Sequence, residues 1–421
     1  MTPLTVSGGT PADWAALKRE VRDAAQRLGI DKIGFASADP FVDMKGILQR
    51  HRELGYESGF EEPDLDKRTE PSLLLERPQS MISIAVAYPS KLNNAPKSKP
   101  GATRGMLSRS AWGEDYHQVL RRRLERLAAF LRERVPDVRL ESMVDTGALV
   151  DRAAAQRAGV GWSAKNCCII TPEFGSWVYL GEMITDIPFE PDAPLLDECG
   201  DCTLCIDSCP TGALVGPGQL NAQRCISFIT QTKGFIADDL KLKIGNRLYG
   251  CDTCQIVCPK NKGMNWTHHP ELQPDPELAK PLLVPLLELS NRDFKERFGH
   301  TSSAWRGRKP IQRNAVIALG FFRDATAAEQ LVKLLRTDPR AELREAAAWA
   351  LGRIGGELPR EGLSAAQKHE TDPTVLDAIR RALLAASPQP MAGGSQADPG
   401  TAKPAEVPVT GRSRSAGDRN E

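Results

Sequence analysis

The sequence CGDCTLCIDSCP, residues 199 to 210, places four cysteines within eleven positions and ends with a proline. Cys199, Cys202 and Cys205 recur every third residue, so one loop can wrap three corners of a cuboidal cluster. Cys209 precedes the proline, and a residue before proline is held extended, which directs its thiolate to a second cluster. This spacing is typical of bacterial ferredoxins and predicts a domain organised by iron and sulfur.

A second run, GCDTCQIVCP at residues 250 to 259, is one cysteine short of the full pattern. The crossing of ligands between the two runs predicts that one [4Fe-4S] cluster is bound by Cys199, Cys202, Cys205 and Cys258. The other cluster takes the four remaining cysteines of the region, which are Cys209, Cys225, Cys251 and Cys254. Two four-cysteine zinc sites are the competing interpretation, because CxxC pairs also bind zinc.

Composition limits the remaining possibilities. The chain has 421 residues, 41% of them hydrophobic and 26% charged, which suits a protein of two or three domains. The sequence shows neither an export signal nor a run of 18 apolar residues, so we expect a cytoplasmic protein without a membrane association. In a reducing compartment the ten cysteines are expected to be metal ligands or thiols. Cys167 and Cys168, outside the cluster pattern, are interpreted as small buried residues of a strand.

The order of apolar segments predicts four regions. Short apolar runs alternate with helical stretches in residues 1–190, which predicts an α/β domain. Residues 191–277 contain the two cysteine runs and few long apolar segments, as expected of a ferredoxin-like domain. Residues 278–386 have a helical pattern. Residues 387–421, with five prolines, five glycines and no aromatic residue, are predicted to form a disordered tail.

The helical region contains an internal repeat. RNAVIALG at 313–320 and EAAAWALG at 345–352 align at a period of 32, so that Gly320 matches Gly352. This period predicts paired helices of a HEAT-like repeat region, with residues 374–386 as a capping helix. An ordinary alanine-rich helical bundle is the alternative.

Several long segments resemble the epoxyqueuosine reductase family. They are VDTGALVDRAAAQRAGVGW at 144–162, AKNCCIITPEFGSWVYLGEMITD at 164–186, RCISF at 224–228, IGNRLYGCDTCQIVCP at 244–259 and FGHTSSAWRGRKPIQRNAVIALG at 298–320. The resemblance covers most of residues 20 to 360. It implies an α/β cobalamin-binding domain, a ferredoxin-like domain with two [4Fe-4S] clusters and a helical C-terminal extension.

The resemblance also implies an activity. Members of the family convert the epoxide of epoxyqueuosine at the wobble position of tRNA into queuosine, the last step of queuosine biosynthesis. This is a two-electron reduction with loss of water, and cobalamin is reduced through the two clusters by an external electron donor. We expect the chain to act on tRNA as a monomer.

Asp145 is the candidate catalytic residue, because it matches the family's proton-donor aspartate in the VD motif. Donating a proton near neutral pH would require a raised pKa. The structural alternative is that Asp145, with Thr146, caps the helix that follows. The cobalamin contacts implied by matching positions are Arg68, Lys165, Asn166 and Ser227. Each of these four has an ordinary alternative as a solvated charge, a turn residue or a cap.

The sequence departs from the family pattern in three places, one of which is Cys167 and Cys168, which replace non-thiol residues after Asn166. In SRSAWGEDYHQVL at 108–120, Ser110 and Glu114 replace the tyrosine and arginine that are common in the family. Ala164 replaces the glycine that usually precedes the Lys165 position. The substitutions at Ser110 and Glu114 weaken any role assigned to the loop at 108–120.

Binding of tRNA requires a local basic surface, since the net charge is only +1. The basic candidates are Arg121, Arg122, Arg123, Arg306, Arg308, Lys309 and Arg313. Two other function classes compete with a tRNA-modifying reductase. One is a cobalamin-dependent reductive dehalogenase-like reductase, whose usual twin-arginine signal is absent here, and the other is a non-catalytic iron-sulfur electron carrier.

Overall fold

The computed structural model of the chain describes residues 13–385, so the predicted tail at 387–421 lies outside it. Up to residue 190 the helices are α1 (Trp14–Arg27), α2 (Val42–Glu53), α3 (Leu65–Thr69), α4 (Tyr116–Arg134) and α5 (Asp151–Arg157). The strands of this part are β1 (Lys32–Ser37), β2 (Ser80–Ala87), β3 (Met106–Leu107), β4 (Leu140–Met143), β5 (Trp162–Ser163), β6 (Ile169–Ile170) and β7 (Val178–Thr185).

Four of these strands form an antiparallel sheet in the order β1-β2-β7-β4. Helices α1 and α4 cover one face, and α5 covers the other. The central strand β2 is therefore buried along its whole length, which explains its unbroken run of apolar and small residues, SMISIAVA. Strand β4 lies at an edge and exposes Glu141 and Ser142. Its last residue, Met143, leads into a loop on the surface of the sheet.

The cysteine-bearing part consists of short elements. They are α6 (Leu204–Asp207), β8 (Leu214–Gly216), β9 (Gln219–Leu220), α7 (Ile226–Ile229), α8 (Asp238–Ile244), β10 (Arg247–Tyr249) and α9 (Thr253–Ile256). Helices α6 and α9, one in each cysteine run, pack on each other. Strand β10 pairs in parallel with β3, so this part is joined to the α/β part by main-chain hydrogen bonds.

The C-terminal part is helical. It contains α10 (Pro276–Ala279), α11 (Val284–Leu287), α12 (Asn291–Phe298), α13 (Arg308–Phe322), α14 (Ala328–Thr337), α15 (Ala341–Ile354), α16 (Glu357–Gln367) and α17 (Pro373–Ala385). Helices α13, α15 and α17 stack in one row, and α14 and α16 stack in a second row. This is the paired-helix arrangement that the repeat predicted.

The repeated glycines explain how closely helices pack in the row formed by α13, α15 and α17, which we call the inner row. A Cβ on Gly320 of α13 would lie 2.8 Å from the Cα of Ala350 in α15. A Cβ on Gly352 of α15 would lie 2.7 Å from the Cα of Ala382 in α17. The same close approach occurs twice, so α17 is a third helix of the inner row.

The cysteine-bearing part and the helical part share one hydrophobic core, which includes Ile229 and Leu248 from the first and Val316 from the second. Buried Lys241 also forms an ion pair with Glu345 of α15. The division of residues 1–386 into three domains therefore stays a prediction. Within residues 13–385, no helix has both the length and the apolar composition that a membrane span requires.

Candidate active site

Asp145 lies in the loop that connects β4 to α5. Its φ of 51° falls in the left-handed region, which residues with a Cβ seldom adopt and which is enriched at functional sites. Its side chain is 56% exposed, so the carboxylate can reach a ligand. The N-cap of α5 is Val150, which makes no capping hydrogen bond with its side chain. The interpretation of Asp145 as a cap for this helix is therefore wrong.

Two residues at the start of α4 hold the Asp145 carboxylate. The Tyr116 hydroxyl donates a hydrogen bond to Oδ2 of Asp145. Nε2 of His117 lies 3.3 Å from the same oxygen, in an ion-pair contact without hydrogen-bond alignment. On its other side, Nδ1 of His117 lies 2.7 Å from Oδ1 of Asp115, which is the N-cap of α4. The imidazole ring therefore bridges two carboxylates.

This arrangement places the proton on His117. Burial disfavours the charged imidazole, but Asp115 and Asp145 outweigh burial and raise the pKa of His117 to about 9. Desolvation tends to raise the pKa of Asp145, but the contact with His117 and the hydrogen bond from Tyr116 outweigh it and lower that pKa below its usual value. The expectation of a raised pKa at Asp145 is therefore wrong for this conformation. At neutral pH the two side chains are an imidazolium and a carboxylate.

A stack of tyrosine rings fixes the orientation of Tyr116. Its ring lies 4.4 Å from that of Tyr179 in β7, centroid to centroid, and Tyr179 lies 4.3 Å from Tyr88. Burial raises the pKa of Tyr116 well above its usual value, so its hydroxyl stays protonated and donates. At the far end, the Tyr88 hydroxyl lies 3.5 Å from Oε1 of Gln255 in α9. The stack thus extends from the second cysteine run to Asp145.

The structure brings together the first predicted set of cluster ligands. Cys205 lies close enough to Cys258 and Cys202 for their charges to add to burial in raising the pKa of its thiol. Cys199 and Cys258 pack against the same small apolar cluster, which includes Trp162. Three of these four residues come from the first run and the fourth comes from the end of the second run.

The second predicted set also lies together. Burial raises the pKa of Cys225 to about 11, and the charges of Cys251 and Cys209 add to this effect. Cys254 lies close to both Cys251 and Cys225. Burial tends to raise the pKa of Cys209, but backbone N–H donors outweigh it and lower that pKa; among them, the nitrogen of Ala213 lies 3.2 Å from Sγ. Such donors favour the thiolate, which is the form of cysteine that binds metal.

The sequence predicted that Cys167 and Cys168 lie in a strand, and this prediction is wrong. Strand β6 begins after them, and Cys167 has a φ of 63° in the preceding turn. Burial raises the pKa of the Cys168 thiol to about 12, and its neighbours include Cys258 and Cys225, one from each ligand set. Cys168 therefore lies at the boundary between the two sets.

Comparison with known proteins assigns these features to a family. The profile described as epoxyqueuosine reductase QueG matches residues 68–146, that of a 4Fe-4S double cluster binding domain matches 198–261, and that of HEAT repeats matches 306–384. An epoxyqueuosine reductase of Bacillus anthracis is 58% identical over 371 residues, which cover 88% of this chain and 98% of that relative. The chain belongs to the epoxyqueuosine reductase family.

Solved structures of epoxyqueuosine reductases share this fold. One, with an epoxyqueuosine-modified tRNA stem loop, is 56% identical with a TM-score of 0.87 and covers 89% of this chain and 100% of that chain. Another, from Bacillus subtilis, is 55% identical with a TM-score of 0.87 and the same coverage, and its catalytic aspartate loop is swung out of the active site. The predicted fold class, with α/β, ferredoxin-like and HEAT-like parts, is therefore confirmed, and the simple helical bundle is excluded.

The residues predicted to contact cobalamin have different surroundings. The half-buried guanidinium of Arg68, in α3, makes no hydrogen bond within residues 13–385. The side-chain nitrogen of Asn166 is sealed from solvent and has no partner in the same part of the chain. Lys165 instead donates to backbone carbonyls of the first cysteine run, including that of Cys202 at 3.2 Å. Ser227 lies in α7, beside the second ligand set. Their cobalamin roles remain predictions.

Two basic residues predicted for the tRNA surface are buried. Arg123 is 7% exposed and donates to the carbonyl of Gly29 at 2.8 Å. Arg313 is 2% exposed and donates to the carbonyl of Gly234 at 2.8 Å. Both guanidinium groups join elements of the fold, so the prediction of phosphate contacts is wrong for these two residues. Arg306 is half-buried, and its Nε donates to the carbonyl of Gln231 at 3.2 Å.

Sequence reasoning missed Tyr116 and His117. The substitutions at Ser110 and Glu114 argued against a functional role for residues 108–120. This segment nevertheless contains Asp115, Tyr116 and His117. The sequence signal that could have indicated this site is His117 close to the acidic residue Asp115. Its second carboxylate, Asp145, comes from a distant position in the sequence, so only the folded chain shows that His117 bridges the two.

Proposed function

We propose that this chain reduces epoxyqueuosine with cobalamin as the reactive cofactor and with Asp145 and His117 as the proton source. The reduction of epoxyqueuosine to queuosine in tRNA itself follows from membership in the family. Opening the epoxide to an alkene takes two electrons and two protons and releases the oxygen as water. The observation that carries the proposal is an exposed Asp145 carboxylate paired with a protonated His117.

The two sets of four cysteines fit two [4Fe-4S] clusters. The match to a double-cluster domain supports iron over the zinc alternative. When bound, such clusters carry electrons one at a time from an external donor toward the active site. The thiols of both sets must lose protons on binding, and the N–H donors around Cys209 favour that loss. We expect the chain to act as a monomer.

Unpaired polar groups of the α/β part fit cobalamin, which carries amide side chains and a phosphate. The guanidinium of Arg68, which makes no hydrogen bond within residues 13–385, suits an anionic or amide oxygen, and the sealed nitrogen of Asn166 needs an acceptor. Ser227 and Lys165 complete the proposed contacts. When bound, cobalamin supplies a strongly reduced cobalt that can act on the strained epoxide.

Asp145 and His117 deliver the first proton in this proposal. As the carbon–oxygen bond breaks, negative charge develops on the epoxide oxygen and raises its affinity for a proton. The imidazolium of His117 passes its proton to Asp145, whose exposed carboxyl group carries it to that oxygen. Tyr116 fixes the carboxylate through its hydrogen bond, and Asp115 keeps the imidazole charged until the proton is taken.

An exposed group of aromatic and basic residues fits the anticodon loop of tRNA. The rings of Phe60 and Trp305 are 5.0 Å apart and exposed, and the guanidinium of Arg306 lies 4.8 Å from the Trp305 ring centroid. Arg306 and Lys309 also line a cavity of about 290 Å³ at the start of α13. Proteins bind unstacked RNA bases on such rings and phosphates on such cations.

Charge reversal tests this surface. Arg306→Glu and Lys309→Glu should each weaken tRNA binding and reduce the slope of log affinity against log salt by about one, because fewer counterions are released. Arg308 is a poorer choice, since it donates to Asn291, to the carbonyl of Leu289 and to Gln312 and so supports the helix start. Within residues 13–385, Arg306 makes one hydrogen bond, from Nε to the carbonyl of Gln231. Binding is measured by titration at several salt concentrations. Unchanged affinity and slope in both variants would place the tRNA surface elsewhere.

The matched control is Arg19→Glu, which makes the same charge change on an exposed position of α1. It should leave the affinity and the salt slope unaltered. Iron content should match the wild type in all three variants, which separates loss of binding from loss of the fold.

The experiment that tests the proposed function is an anaerobic assay on tRNA that contains epoxyqueuosine, read by nucleoside mass spectrometry. Protein with both clusters and cobalamin should form queuosine, whereas the same preparation without cobalamin should not. A non-catalytic electron carrier would form no queuosine in either case. Equal activity with and without cobalamin would contradict the cofactor assignment.

A further inference from the structure

A group of unpaired oxygens lies sealed beneath the Asp145 loop. Glu182, in β7, is 0% exposed, and neither of its carboxylate oxygens has a hydrogen-bond donor within residues 13–385. Oδ1 of Asp151 and the hydroxyl of Ser83 are likewise sealed and unpaired in that part of the chain. A buried charge without a partner is strongly destabilising, so these groups require a physical explanation.

The register of the sheet brings the oxygens together. Glu182 pairs directly with Ser83 of β2 on one side and with Met143 of β4 on the other. Residues directly opposite in an antiparallel pair point to the same face, which here is the face covered by α5. Asp151 is the first residue of α5, which packs on β7. The two carboxyl groups therefore meet between the sheet and the helix.

The two carboxyl groups lie at the two ends of the Asp145 loop. Strand β4 ends at Met143, opposite Glu182, and α5 begins at Asp151. The loop between these two points, residues 144–150, contains Asp145. A link between Asp151 and Glu182 thus closes the base of the loop across the sheet.

One shared proton satisfies both carboxyl groups. Burial raises the pKa of Glu182 well above its usual value, and the negative charge of Asp151 adds to this effect. Burial also raises the pKa of Asp151, to about 6, although the neighbouring carboxyl group of Glu182 opposes the rise. At neutral pH Glu182 is therefore the neutral acid that donates, and Asp151 is the anion that accepts. The other charged groups that act on the pair are Asp145, Arg68 and Arg152.

We propose that Asp151 and Glu182 form a carboxylic acid to carboxylate hydrogen bond that fixes the base of the Asp145 loop. They are positioning residues, because they act on the reaction through the placement of Asp145. This consequence for the rate rests on the proposed function of Asp145. The bond itself and its effect on the loop do not depend on that function.

Two substitutions of Glu182 separate the proton from the volume of the side chain. In Glu182→Gln, the amide N–H donates permanently to Asp151, so the link is kept. In Glu182→Leu, the donor is lost and Asp151 is left as an unpaired buried carboxylate. The matched control is Thr185→Val, which removes a buried polar group from the same strand at the end far from the loop.

The loop is measured by amide hydrogen exchange at residues 144–150 in protein loaded with both clusters and cobalamin. We expect exchange there to rise about tenfold or more in Glu182→Leu and to stay near the wild-type rate in Glu182→Gln and Thr185→Val. Infrared spectra should show a protonated carboxyl band in the wild type that Glu182→Gln removes. Single-turnover conversion should slow about 10- to 100-fold in Glu182→Leu and recover in Glu182→Gln, with tRNA affinity unchanged.

Several results would overturn the inference. If amide exchange of the loop is unchanged in Glu182→Leu, the proposed link between Asp151 and Glu182 is wrong. If Glu182→Gln and Glu182→Leu raise exchange equally, the proposed shared proton is wrong. If Glu182→Leu does not fold, the infrared band decides, since a wild type without this band has no protonated Glu182. A loosened loop with an unchanged rate would support the hydrogen bond and contradict the role of Asp145, so the two proposals fail in different ways.

Discussion

Asp145→Asn should slow single-turnover conversion of epoxyqueuosine by roughly 10² to 10⁴, the usual range for loss of a general acid. Asparagine has nearly the same shape and can still accept the hydrogen bond from Tyr116. It cannot take a proton from His117 and pass it on. The variant should therefore keep its clusters, its cobalamin and its affinity for tRNA while the chemical step is slow. The measurement is queuosine formed per enzyme with excess reductant, read by nucleoside mass spectrometry.

The proton on His117 gives this prediction a pH dependence. Its pKa is raised to about 9, so the proton is present below that pH and is lost as pH rises through it. The single-turnover rate of the wild type should be nearly constant from pH 7 to 8 and fall above about pH 9. Asp145→Asn should lack this fall, because its residual rate no longer uses the His117 proton. Near wild-type turnover in a variant with intact cofactors would remove Asp145 from the mechanism.

The parts of the structure that the sequence predicted well depend on local spacing. The cysteine runs predicted two groups of thiols that do lie together in the structure, because the distance between neighbouring residues in a tight loop is nearly constant. Their assignment to clusters stays a prediction. The repeated Gly320 and Gly352 mark places where helices touch, so the period of the array was visible before its packing.

The parts that the sequence could not predict depend on contacts between distant segments. Arg313 is of a residue type that often binds phosphate, yet it is buried and donates hydrogen bonds to backbone carbonyls of the cysteine-bearing part. The pKa of Asp145 is lowered by residues of another element, so a motif alone could not give its direction. Glu182 reads as one polar residue in an apolar strand, and only the register of the sheet joins it to Asp151.

The second large effect is expected at the second ligand set. Wild-type protein reconstituted anaerobically should hold about eight iron atoms, as two [4Fe-4S] clusters require, and Cys225→Ser should hold about four. Cys225 lies half-buried beside Cys251 and Cys209, and no other cysteine of residues 191–277 is left to complete their cluster. Queuosine formation with an external donor should then be lost. Iron content and the absorption and paramagnetic resonance spectra of the clusters are the measurements.

The control for this prediction is Cys168→Ser, because Cys168 is also a half-buried thiol and lies beside Cys225 and Cys258. If ligands are set by the spacing of the runs, Cys168→Ser should load about eight iron atoms, like the wild type. If burial of the thiol decided iron content, the two variants would bind equal amounts of iron. If ligation decides it, Cys225→Ser should hold one cluster fewer than Cys168→Ser. Full iron in Cys225→Ser together with loss of iron in Cys168→Ser would transfer the eighth ligand to Cys168. That result would also mean that the turn at Cys167, with its left-handed backbone, exists to present its neighbour to the cluster.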